Sequence, residues 1–200
     1  MRKQIKYFNL LIMIGLLLVS ATAESGSYLL SLGIGNSNFQ LNQPGIVANF
    51  KPPLTGSSTF NDSATAFSFY GAKRLDEYLT LEADLLISGD ITATEAGQII
   101  KLFDVSSLAI TLALGKQFGE RTGLFARLGA HFWDISEDSG NLNTINSAVD
   151  ITYGIGMDVN LYGDRSRQLR IQWNHYEYDG VFIDDSDTLT VNLLFLIGEY

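Results

Sequence analysis

A period of two governs the middle of this chain. From Leu108 to Trp133 the sequence reads LAITLALGKQFGERTGLFARLGAHFW. Before the polar turn Gly119-Glu120-Arg121-Thr122, Leu108, Ile110, Leu112 and Leu114 share one face. Ser107, Ala109, Thr111, Ala113 and Gly115 share the other. After the turn, Leu124, Ala126, Leu128, Ala130 and Phe132 alternate with Phe125, Arg127, Gly129, His131 and Trp133. Successive side chains of a strand point to opposite faces, so the pattern is two strands joined as a hairpin. In a soluble sandwich the leucine face would meet a packed core. In a membrane barrel it meets lipid, and the small and polar face lines a narrow lumen.

The remaining chain favours the barrel. A first strand starts near Gly26, with Tyr28, Leu30, Leu32 and Ile34 opposite Ser27, Leu29, Ser31, Gly33 and Gly35. Asn36 to about Asp62 reads as a long polar connection that contains Pro44, Pro52 and Pro53. Strands follow at Ser63–Lys73 and Tyr78–Ser88, then a loop from Gly89 to about Lys101. Beyond the hairpin come a loop from Ser136 to about Ile145, a strand to Tyr162, and the turn Gly163-Asp164-Arg165-Ser166. The seventh strand sets Leu169, Ile171 and Trp173 against Arg170, Gln172, Asn174 and Tyr176. A loop at about Gly180–Asp187 precedes the eighth, which ends on Tyr200. The connections alternate long and short, which is the rhythm of an eight-stranded antiparallel up-and-down transmembrane β-barrel. Strands of about 9–13 residues are long enough to cross a bilayer when tilted, and closure removes the edge strands that lipid would not tolerate.

The first 23 of the 200 residues stand apart. Arg2, Lys3 and Lys6 precede the apolar run Phe8–Val19, and Ala21-Thr22-Ala23 offers a small-x-small cleavage site, so residues 1–23 read as a secretory signal peptide. Residues 24–200 are then a single barrel domain. Three of the 13 basic residues leave with the signal, so 10 face 22 acidic ones. That excess of negative charge argues against nucleic acid as a partner. With no cysteine, disulfides and thiolate metal sites are excluded.

Charge sorts along the strand axis. Lys73, Arg74, Lys116, Arg121, Arg165 and Arg167 lie at the short turns, whereas Asp134, Glu137, Asp138, Asp150, Glu177, Asp179, Asp184, Asp185 and Asp187 crowd the loop ends. Tyr28, Tyr70, Tyr78, Phe132, Trp133, Tyr162, Trp173, Tyr176 and Tyr200 fall near strand ends, where an aromatic girdle belongs if they point outward. Alternation turns Trp133 and Tyr176 inward. In the last strand, Leu189, Val191, Leu193, Phe195 and Ile197 as the lipid face would turn Tyr200 inward; a bulge, or Leu194 and Leu196 facing lipid, are the alternatives.

The segments GAKRLDEYLTLEADL, LGKQFGERTGLFARLGAHFWD and DITYGIGMDVNLYGDRSRQLRIQWNHYEYD resemble the eight-stranded transmembrane domain of outer membrane protein A and its small outer-membrane relatives. The resemblance spans nearly all of residues 24–200. It implies residence in the outer membrane of a Gram-negative bacterium, contact with lipopolysaccharide, and insertion by the barrel-assembly machinery. The peptidoglycan-binding domain of outer membrane protein A, and the wall anchoring it provides, are not expected here, and the terminal residue is Tyr where the family commonly has Phe.

Glu82, Asp84, Arg127, Asp158 and Arg170 all face inward by alternation. Unpaired charges inside so narrow a barrel cost several kcal/mol, so these five are expected to form a lumen plug of ion pairs. The family resemblance points the same way, since its relatives pair a Glu on the third strand with arginines on later ones. The other reading is a gate that passes small ions when the pairs exchange.

His131 and His175 are the two histidines. His131 faces inward near the rim, with Asp134 and Ser136 close in sequence; His175 faces outward beside Asn174 and Glu177. Neither sits in a lipase-like pattern, and two histidines make a poor metal site. Asp179, Asp184, Asp185 and Asp187 lack the regular spacing of a calcium loop and read as a solvated surface at the lipopolysaccharide layer. Gly33, Gly35, Gly115, Gly154 and Gly156 lie within strands, where they relieve crowding.

No catalytic, metal or cofactor residue is therefore expected, and no cofactor. The expected function is that of a non-enzymatic integral outer-membrane barrel, structural or surface-interacting through its loops, with an unspecified surface ligand. A narrow channel or carrier for small solutes is the second reading, and a lipid-modifying enzyme the third.

Overall fold

The computed structural model describes residues 28–50, 54, 58–119, 121–136, 146–161 and 166–197. Ten strands and one short helix occur among them: β1 (Tyr28–Leu41), α1 (Gln43–Asn49), β2 (Thr59–Asn61), β3 (Ser63–Arg74), β4 (Leu79–Ser88), β5 (Ile91–Glu95), β6 (Gln98–Phe118), β7 (Thr122–Ser136), β8 (Asn146–Asn160), β9 (Arg167–Glu177) and β10 (Ile183–Ile197). Eight of the strands close a ring. β1 pairs with β3, and pairing continues through β4, β6, β7, β8, β9 and β10 back to β1, always antiparallel. The closing seam runs unbroken from Tyr28 opposite Ile197 to Gln40 opposite Asp185. No backbone edge is left within the wall.

The wall is turned inside out relative to a soluble protein. Leu32, Leu114 and Leu128 are about 60 % exposed, while Thr111, Arg127, Gln172 and Thr190 are buried. Alternation of this sense is stable only where hydrocarbon surrounds the barrel. The eighth-strand ambiguity resolves in favour of continuous register: Leu189, Val191, Leu193, Phe195 and Ile197 face outward, and Leu194 packs inside with Leu29, Tyr70 and Ala72. Its pairing with β9 shows no bulge. Tyr200, residues 163–165 of the expected turn, and residues 1–23, which read as a signal peptide, lie outside the described residues.

Three stretches read as loops are partly strand or helix. Residues 89–101 form β5 and the start of β6, a 21-residue strand that rises well beyond the wall. Ala96 and Gly97, both with positive φ, join them in a two-residue hairpin turn. β2 adds a third strand to this flap. The 36–62 connection holds the end of β1, then α1 and β2. Asn42 caps α1 by accepting from Gly45 N at 3.1 Å, and Pro44 sits in the first turn. Residues 183–187 belong to β10, because they pair with β1 and, from Asp185 on, with β9.

Candidate functional site

Two layers fill the lumen. Toward the short-turn end, alternation on four strands delivers the charges to one level. Glu82 and Asp84 come from β4, Arg127 from β7, Asp158 from β8 and Arg170 from β9. The five expected residues meet in a single network centred on Arg170. Arg170 grips Asp158 with two hydrogen bonds, Nε to Oδ1 at 2.7 Å and Nη2 to Oδ2 at 2.9 Å. Its Nη1 donates to Glu82 Oε1 at 2.9 Å and to the Tyr70 hydroxyl at 2.7 Å. Tyr70 in turn donates to Glu82 Oε1 at 2.6 Å. The guanidinium lies 4.1 Å from the centre of the Phe125 ring and 4.8 Å from that of Tyr70. A planar, weakly hydrated cation suits that stacked, forked position better than a lysine would.

Arg127 is held more loosely. Its Nη1 reaches Asp84 Oδ2 at 3.3 Å and Gln172 Oε1 at 3.4 Å, and its Nε lies 3.6 Å from Glu82 Oε2. Ser68 donates to Asp84 Oδ1 at 2.7 Å, Gln172 to Oδ2 at 3.3 Å, and Thr111 to Glu82 Oε2 at 3.2 Å. The network thus draws on Ser68, Tyr70, Thr111 and Gln172, none of which the sequence names as a partner of the charges; Tyr70 is expected there in the aromatic girdle. All four face inward by the same alternation that finds the charges. What the sequence lacks is the cross-barrel distance that pairs β3 with β9.

Two glycines make room for this layer. In the cross-strand row Arg127–Gly154–Asn174, a Cβ on Gly154 would press into the Asn174 amide and the Trp173 carbonyl. One on Gly156 would strike the Phe125 ring that backs Arg170.

Toward the long-loop end the interior turns apolar. Ile46 of α1, Phe50 just after it and Leu54 fold inward onto Phe103, Trp133, Tyr176, Tyr178 and Phe182, all buried. α1 is pinned there because Asn42 N donates to the Phe182 carbonyl at 2.9 Å. Across the rim, Trp133 Nε1 donates to Asp150 Oδ2 at 2.6 Å, which also accepts from Asp179 N at 3.0 Å.

The histidines part ways. His131 is fully buried in this cap, edge-on to Tyr176 and Tyr178. Nε2 lies 2.7 Å from the Glu177 carbonyl and so carries the proton; Nδ1 accepts from Ser107 at 2.9 Å. Its partner is therefore Ser107 and not Ser136, which instead donates to Asp134. Aromatic rings seal this Ser–His pair from solvent. His175 faces outward, beside Trp173 and Tyr153, and pairs with Asp187 at 2.9 Å.

The aromatic girdle is only partly outward. Of its expected members, Tyr78 and Phe132 are exposed and Trp173 is half-buried, whereas Tyr28 and Tyr70 are buried and Trp133 and Tyr176 lie inside. The acidic set at Asp184, Asp185 and Asp187 is spread along β10 and does not converge on a point.

A family model of the outer membrane protein β-barrel domain matches residues 10–195. No curated protein sequence matches the chain. Among solved structures, the attachment invasion locus protein Ail of Yersinia pestis is similar, with a TM-score of 0.56 at 14% identity, covering 87% of this chain and 100% of that one. Neisserial surface protein A gives 0.56 at 10% identity, covering 86% and 99%. The N-terminal barrel domain of Pseudomonas aeruginosa OprF gives 0.50 at 9% identity, covering 84% and 97%. At such identities the likeness carries the fold alone. With the family match over most of the chain, the inverted wall and the closed ring, this protein belongs to the outer membrane protein β-barrel family.

Proposed function

We propose that the protein is a non-conducting, non-enzymatic component of the outer membrane, exported by removal of residues 1–23, with its long loops toward the cell exterior. The observation that carries this reading is the stacking of two different seals in one lumen. A charge network blocks apolar solutes, and an apolar cap blocks ions. Opening a conduction path would require breaking the bidentate Arg170–Asp158 pair and also lifting Ile46 and Phe50 from the cap. Buried ion pairs that lose one partner cost about 3–5 kcal/mol, so exchange of pairs is a rare event. Among the described residues the Ser107–His131 pair is buried beneath Tyr176 and Tyr178, which argues against a lipid-modifying enzyme.

Surface interaction belongs to the loop end, and its charge restricts the partners. Among the described residues Lys101 is the one basic side chain at that end. It is neutralised by Asp90 at 2.6 Å and Asp104 at 3.3 Å. Ail of Yersinia pestis has been solved with the heparin analogue sucrose octasulfate; the acidic face here favours cationic groups, or lipopolysaccharide bridged by divalent ions. Planar-bilayer recording tests the reading. Wild type is expected to be silent and Arg127→Ala to remain so, because the apolar cap is untouched. Resolved unitary currents from the wild type would refute it.

A further inference from the structure

The outer wall carries an open groove of about 880 Å³, within the size range of pockets that take a whole small molecule. It follows two neighbouring cross-strand rows. Leu114, Ala126, Ile155, Trp173 and Leu189 form the upper row, and Lys116, Leu124, Met157 and Ile171 the lower. Ala126 is the smallest outward side chain of either row, so the wall is thinnest there.

The groove climbs from one membrane face to the middle. Lys116 is two residues from the end of β6 at Phe118, while Leu189 is eight from the end of β10 at Ile197. At about 3.4 Å per residue and a tilt of about 40°, that difference is a climb of roughly 15 Å, half of a hydrocarbon core of about 30 Å. The groove thus spans one leaflet, on the short-turn side. Its lower end holds Lys116 and Tyr78 at the aqueous boundary, beside a rim that carries Lys73, Arg74 and Arg121 and, in the same turn as Arg74, the acids Asp76 and Glu77, the latter hydrogen-bonded to Tyr78. An anionic headgroup with two apolar chains matches that order of charge and grease. A second copy of the chain fits poorly: a two-fold contact would set concave surface against concave surface and Lys116 toward Lys116.

We propose that this groove retains one anionic glycerophospholipid of the periplasmic leaflet, its phosphate on Lys116 and its acyl chains along the Ala126 row. The proposal needs the short-turn end to face the periplasm; it does not depend on whether the lumen conducts, so a conducting barrel could still pass the test below.

Native mass spectrometry in a mild detergent, with dioleoyl phosphatidylglycerol titrated onto delipidated protein, provides the test. Wild type is expected to hold one lipid. Ala126→Phe fills the groove and is expected to lose it. Lys116→Ala is expected to weaken retention roughly fivefold, the ratio one basic residue is worth at an anionic lipid surface. Ala83→Phe, on the outward face of β4 away from the groove, is expected to bind as wild type does. A heat-dependent shift in gel mobility certifies that each variant is folded. Equal binding by wild type and Ala126→Phe overturns the site, and an unchanged Lys116→Ala overturns the placement of the phosphate. A dimer that Ala126→Phe abolishes reassigns the groove to a second copy and overturns the proposal.

Discussion

Arg170 and Arg127 occupy the same lumen but carry different shares of its stability. Arg170 combines a bidentate carboxylate pair, a second carboxylate, a hydroxyl and two stacked rings. Arg127 makes longer contacts, and its Nη2 has no protein partner. Removing Arg170 would leave Asp158 and Glu82 without their main counter-charge. Arg170→Leu is therefore expected to cost about 5 kcal/mol and Arg127→Leu about 3 kcal/mol, the upper and lower ends of the range for a buried ion pair stripped of one partner. Urea unfolding in lipid vesicles, followed by tryptophan fluorescence, reads both; equal losses would show that contact length does not rank them. The five charges were legible in the sequence, because alternation assigns a face without any knowledge of the fold. The part Tyr70 plays was not: the same alternation turns it inward, but a tyrosine near a strand end suits a girdle as well as a lumen. Only the approach of β9 across the barrel makes it the bridge between Glu82 and Arg170.

At the scale of elements, the strands within the wall were legible and the structure above it was not. Lipid on one side and a polar lumen on the other enforce a strict period of two, as in Leu108–Leu114. Above the membrane that constraint lapses. Gln98–Val105 reads QIIKLFDV, with Ile99 and Ile100 adjacent, and Leu102 beside Phe103, so no face declares itself. Helix α1 is only 7 residues long, too short for a 3.6-residue pattern to repeat. Both features yield predictions. Ala96 holds φ 49° in the β5–β6 turn, a region that asparagine tolerates better. Ala96→Asn is expected to stabilise the flap by roughly 0.5–1 kcal/mol, slowing amide exchange at Thr92 and Ile100; faster exchange would count against the turn assignment. Asn42→Ala removes the cap of α1 and is expected to cost about 1 kcal/mol. The readout is faster exchange at the Gly45 amide without loss of the barrel.

At the scale of the molecule, one sorting rule runs from sequence to placement. Among the described residues, Lys73, Arg74, Lys116, Arg121 and Arg167 lie at the short-turn end, and acids dominate the other. Between the two rims the wall is oily outside, and the lumen is charged below and apolar above. The closure of that lumen is the claim on which the proposed function rests. The chain has no cysteine, so a single Thr190→Cys places one thiol at a fully buried, inward position. In proteoliposomes, a charged maleimide applied from both sides is expected to leave that thiol unmodified until the barrel is heated open. Thr94→Cys, on the exposed flap, is expected to react at once. Labelling of the folded Thr190→Cys protein as fast as the flap thiol would mean that water and solutes reach the lumen, and the two seals would not exist.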